Sequence, residues 1–91
     1  MFKLKEAMSS NGLYTLLIDD IDEVDGKQKV IGTYRVARVF DFNTKQSEVS
    51  IMNYFNGYNT DRELAENIKQ QLIKILEFIE GGFSDEFSGL H

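Results

Sequence analysis

Five carboxylates crowd into Asp19-Asp20-Ile21-Asp22-Glu23-Val24-Asp25-Gly26, and carboxylates at alternate positions before a glycine are the raw material of a calcium loop. The spacing fails that chemistry. The third acid falls one residue late, at Asp25, with Val24 in its place, and the twelfth position counted from Asp20 is Ile31, where a bidentate acid is needed. No metal is expected here. What remains is an acidic patch (Asp19, Asp20, Asp22, Glu23, Asp25), read either as a solvated hairpin end or as a set of phosphate stand-ins.

Catalysis has little to build on. The only histidine is His91 at the end of the chain, and cysteine is absent. The common nucleophile–base pairs are therefore missing, as are a G-x-S-x-G elbow, a Walker loop, a G-x-G-x-x-G turn and an H-E-x-x-H helix. The expectation is a non-enzymatic protein with no catalytic residues, no metal and no cofactor.

Three further features carry contact chemistry. Arg38 lies in an apolar strand between Val36 and Phe40, where a buried guanidinium needs a partner acid. A bulge near Ala37 would turn it outward beside Arg35, and that reading is preferred. Tyr54-Phe55-Asn56-Gly57-Tyr58-Asn59 combines aromatic rings with a turn, which suits packing beneath a helix better than a binding loop. The 83–91 tail repeats Phe-Ser around Asp85-Glu86 after Gly81-Gly82, with Phe83 expected to pack back on the core.

These groups must be positioned by a single domain spanning 1–91, short enough that burial is limited and oligomerisation helps. Composition is 42% apolar and 27% charged, within the globular range. The net charge of −5 comes mostly from residues 51–91, with seven acids against three bases, whereas 1–50 hold eight against seven. Nucleic acid needs the opposite charge, so no direct binding to it is expected. No secretory leader or membrane span is recognisable and no disulfide can form, so the expected location is cytoplasmic. The Pro-free, Cys-free, Lys/Asn/Ile-rich composition resembles that of a small accessory protein from an AT-rich bacterial or phage genome.

The predicted fold is α+β: a three-stranded antiparallel meander packed on one face by a long C-terminal helix. Strands are expected over 13–22, 28–42 and 49–55, and the helix over 61–80. Residues 1–12 read as a short helix or a strand, with helix favoured because Leu4, Ala7 and Met8 recur at helical spacing. Asp25-Gly26 demands a two-residue hairpin turn, and its register pairs Leu17 with Tyr34, Ile21 with Val30 and Asp22 with Lys29. Gly32 within the long strand suggests a bulge or a close approach. A turn within 43–48 then pairs Phe42 with Val49 and Phe40 with Ile51. Thr60-Asp61-Arg62-Glu63 has the form of a capping box. Leu64, Ile68, Leu72, Ile75, Leu76 and Ile79 make the apolar stripe, ended by Gly81-Gly82.

That register makes both sheet faces apolar. The helix is assigned to the Tyr34/Val36/Phe40 side, together with Leu13, Leu17 and Ile21. The opposite side, with Tyr14, Ile31 and Ala37, leaves Leu16, Ile18, Val39, Met52 and Tyr54 as the interaction patch. The expected role is a protein–protein interaction or regulatory module, a homodimer that binds another protein through this face. The alternative is an acidic inhibitor that blocks the basic groove of a nucleic-acid-binding protein.

Overall fold

The computed structural model describes residues 1–55, 58–60 and 64–82. Among the described residues five strands run in simple meander order: β1 (Phe2–Ser10), β2 (Leu13–Val24), β3 (Lys27–Asp41), β4 (Gln46–Phe55) and the short β5 (Tyr58–Thr60). One helix among the described residues, α1 (Glu66–Glu80), follows. The α+β class with an antiparallel sheet is as the hydrophobic pattern indicates, but the sheet has more strands than the expected three.

The N-terminal segment corrects the helical preference. It is β1, paired with β2 from Phe2↔Asp20 to Ser10↔Leu13. Asn11 (φ 54°) and Gly12 (φ 78°) both sit at positive φ, the geometry of a tight hairpin turn that matches strand twist. A bulge between Leu4 and Glu6 inserts Lys5, so Leu4 opposes Ile18 and Ala7 opposes Leu16. Residues three apart thereby share one face, which is how a strand comes to display helical spacing.

The Asp25-Gly26 turn (φ 53° and 75°) sets Ile21↔Val30 and Asp22↔Lys29 as expected. Beyond it the ladder departs from the simple register. A shift after Ile21 pairs Asp20 with Gly32, which leaves Ile31 as the extra residue. Ile18 then opposes Tyr34, and Leu17 opposes Arg35 instead of Tyr34. One inserted residue exchanges the faces of everything further along the strand.

The β3–β4 turn is displaced too. Val36 pairs with Ile51 and Arg38 with Val49, a slide of four residues from the expected pairs. Four is an even number, so the faces survive. Asp41 fixes the turn, its Oδ1 accepting from the Asn43 N–H at 2.8 Å and the Thr44 N–H at 3.4 Å. The Lys45 N–H bonds the Asp41 carbonyl at 2.8 Å.

The core lies between the sheet and α1. Leu16, Ile18, Val36, Leu72 and Leu76 are fully buried, with Tyr34 and Ile79 joining them. Each such leucine or isoleucine contributes about 1.5–3 kcal/mol on leaving water. Phe2 stacks edge-on against Tyr34 with ring centroids 5.9 Å apart and closes the cluster on the β1 side.

The helix starts at Glu66, not at 61. Thr60, the proposed cap, is paired with Asn53 as the last residue of β5, and Ala65 occupies the N-cap with no side-chain bond. Residues 61–63 of the box lie outside the described residues. The C-terminal end follows the expected glycine logic. Gly81 and Gly82 donate to the Glu77 and Ile79 carbonyls at 2.9 and 3.1 Å, and Gly82 takes positive φ (81°).

Arg38 faces the helix, which corrects the outward reading. It makes a bidentate pair with Glu80, Nε to Oε2 and Nη2 to Oε1, both at 2.9 Å. No bulge intervenes near Ala37, so strand parity keeps Arg38 on the core side. This fork tethers the last turn of α1 to β3. The pair holds the Glu80 carboxyl below its usual range through the hydrogen bond with Arg38, against an opposing effect of burial.

Candidate functional site

Three rows of side chains cross the sheet on the side away from α1. They are Met8–Thr15–Ala37–Ser50, Glu6–Leu17–Arg35–Met52 and Lys3–Asp19–Thr33–Tyr54, each running from β1 to β4. Leu13 and Val39 lie on the same side by strand alternation. No described residue of α1 packs on this face, since its buried residues all join the opposite core. The surface is mixed, with apolar groups interspersed with hydroxyls and charges, and is less apolar than the sequence register implied.

Its middle is built around Arg35. The guanidinium is exposed and its Nη1 lies 3.6 Å from the Met52 Sδ, which also receives the Tyr54 hydroxyl at 3.6 Å. Leu17 flanks it across the β2–β3 pair, half-buried. Thr33 Oγ1 donates to Asp19 Oδ1 at 2.9 Å and ties that carboxylate down one row away. Among the described residues Arg35 has no carboxylate partner, whereas Arg38 has one. Arg, Met and Tyr are residue types enriched where proteins meet.

Of the five residues expected to form the interaction patch, the structure puts three on the open face. Val39 (39% exposed), Met52 and Tyr54 lie on the open face. Leu16 and Ile18 do not; both are fully buried under α1 because the Ile31 bulge reverses the β2 faces. Leu17 and Arg35 take their places. Gly32 was the available signal, since a glycine in a long strand marks where a register can shift. No steric need keeps a glycine there, as a Cβ would meet nothing within 4 Å.

Two of the five acids of the β2–β3 hairpin point to opposite faces of the sheet. Asp19 turns to the open face and Asp20 to the other, where its Oδ1 faces the N-terminal ammonium at 3.4 Å. Asp22 opposes Lys29 and accepts the Glu23 N–H at 2.9 Å. Asp25 serves the turn. Among the described residues no group of three or more His, Cys, Asp or Glu side chains is placed to hold a metal ion. A shallow depression of about 270 Å³ beside Met1, Ile21, Asp22, Glu23 and Gln28 is open to solvent and contains no nucleophile–base pair. Burial, reinforced by Asp20, raises the Tyr34 phenol above its ordinary value of 10.0.

Val24, Val30 and Ile31 are exposed near the β2–β3 turn, and Phe40 and Phe42 stack edge-on at 5.0 Å at the β3–β4 turn. The 83–91 tail, with Phe83, and the Asn56-Gly57 turn fall outside the described residues. Among the described residues no helix is long and apolar enough to cross a membrane. No family model matches the chain, and neither a curated protein nor a solved structure matches it.

Proposed function

We propose that this chain is a non-enzymatic protein-interaction module, acting as a homodimer, that binds another protein through the open sheet face. The observation that carries the reading is Arg35: an exposed guanidinium with no carboxylate partner among the described residues, set among Leu17, Met52 and Tyr54 on a face that the described residues of α1 leave free. A partner presenting a carboxylate amid apolar side chains is its chemical complement, because a cation framed by half-buried apolar groups gains most from a charge that displaces its water. The acidic-inhibitor alternative has less behind it. It needs a continuous negative surface, and Asp19, Asp20, Asp22 and Asp25 are turned apart or engaged locally.

Affinity purification from the native host, run in parallel with wild type and Leu17→Asp, tests the reading. A protein retained by the wild type and lost with the folded variant supports it. Retention unchanged by Leu17→Asp removes the open face as the binding surface.

A further inference from the structure

The two edges of this sheet are built differently. β1 is protected: Lys3 and Lys5 lie along it, and the bulge at Lys5 bends it out of a regular ladder. Lysines and bulges are the usual means by which a strand edge is made unattractive to further pairing. β4 has no such protection over Gln46–Met52. That stretch contains no lysine and no proline, and its register with β3 is unbroken. β5 covers only Asn53–Phe55, so among the described residues nothing pairs with the outer side of Gln46–Met52. Alternate residues there direct their N–H and C=O groups away from β3.

We propose that the homodimer forms by antiparallel pairing of β4 with β4 of a second copy, centred on Val49. This rests on the homodimer reading above and adds which surface makes it. Three observations choose the occupant and the register. A two-fold axis through the sheet keeps core faces together only if residues of equal parity meet, so one residue must face its own copy. Val49 is the midpoint of the stretch left unpaired among the described residues, and centring there uses all of it. The resulting pairs are Val49 with Val49, Glu48 with Ser50, Ser47 with Ile51 and Gln46 with Met52. Glu48, the only charge in the stretch, therefore meets a hydroxyl and not its own copy. Moving the axis one residue earlier would set Glu48 against Glu48. The product is a ten-stranded continuous sheet with both helices on one side and the two Arg35 faces side by side on the other.

Sedimentation equilibrium across micromolar concentrations, with folding checked by circular dichroism, tests this. Ser50→Glu places a carboxylate opposite Glu48 twice per dimer and should raise the dissociation constant about tenfold, as like charges directly opposed destabilise a ladder. Adding Glu48→Lys to Ser50→Glu converts both clashes into ion pairs and should restore dimerisation. On the wild type, raising the concentration should slow amide exchange within 46–52 and leave 2–10 unchanged. A dimer indifferent to both β4 variants but broken by Leu17→Asp overturns the edge proposal while leaving the homodimer reading intact. A wild type that stays monomeric at high micromolar concentration overturns both. Open-ended growth overturns the two-fold arrangement.

Discussion

Leu16 and Leu17 are neighbours of identical chemistry on opposite sides of one strand, and truncating each in turn measures the face assignment directly. Leu16 is fully buried against Leu72, Leu76 and Val36 in the core cluster, whereas Leu17 is half-buried on the open side. Leu16→Ala removes buried methyl groups and leaves a cavity, at a cost of about 3 kcal/mol within the 2–5 range for such changes. A domain of this length has an unfolding free energy of roughly 5–14 kcal/mol, so a fifth or more of the stability disappears. At roughly 5 °C per kcal/mol, the melting temperature falls by about 15 °C. Leu17→Ala opens no enclosed cavity and should cost about 0.5–1 kcal/mol, a shift of about 3–5 °C. Urea unfolding followed by circular dichroism, with the slope unchanged between variants, gives both numbers. Equal losses, or a larger loss for Leu17→Ala, would refute the bulge at Ile31 and return β2 to the register that the turn alone suggests.

Glu80→Gln should cost about 1 kcal/mol at pH 7 by breaking the bidentate pair with Arg38. Because the folded carboxyl is lowered from 4.5, that contribution is complete above about pH 5 and is lost as the pH falls through the lowered value, so wild type and variant converge in acid. Gly12→Ala, at φ 78°, should destabilise by about 1 kcal/mol in the same unfolding assay, through backbone strain alone. Tyr34 should ionise above the ordinary tyrosine value of 10.0 in an absorbance titration. Its raised phenol favours the folded state's neutral form, so stability declines above pH 10 in the wild type and more weakly in Tyr34→Phe.

Much of the fold is legible in short-range signals. Asp25-Gly26 names its turn and the pairs nearest it, the leucine and isoleucine stripe names the helix face, and Gly81-Gly82 names its end. Two bulges hide the rest. At Lys5 an inserted residue places Leu4 and Ala7 on one face, so β1 carries the spacing of a helix, and the Asn11-Gly12 turn reads as a helix end when it closes a hairpin. At Ile31 the register extended from the turn loses its parity, which moves Leu16 and Ile18 into the core and puts Leu17 and Arg35 in the open. Gly32 flags that position, but a glycine does not say whether a residue is inserted. Arg38 escapes sequence reasoning for a different cause: its partner, Glu80, lies 42 residues away on another element, and no local pattern announces such a pair.

Arg35, with the apolar side chains around it, is the proposed contact for a partner protein on the open face. Its most direct test is the affinity of the retained partner for wild type and for Arg35→Glu, measured by calorimetry at low and high salt. Charge reversal of a guanidinium engaged by a carboxylate should weaken binding at least tenfold, with most of the wild type's salt sensitivity disappearing. An affinity that is the same for both proteins at both salt concentrations would remove Arg35 as the contact.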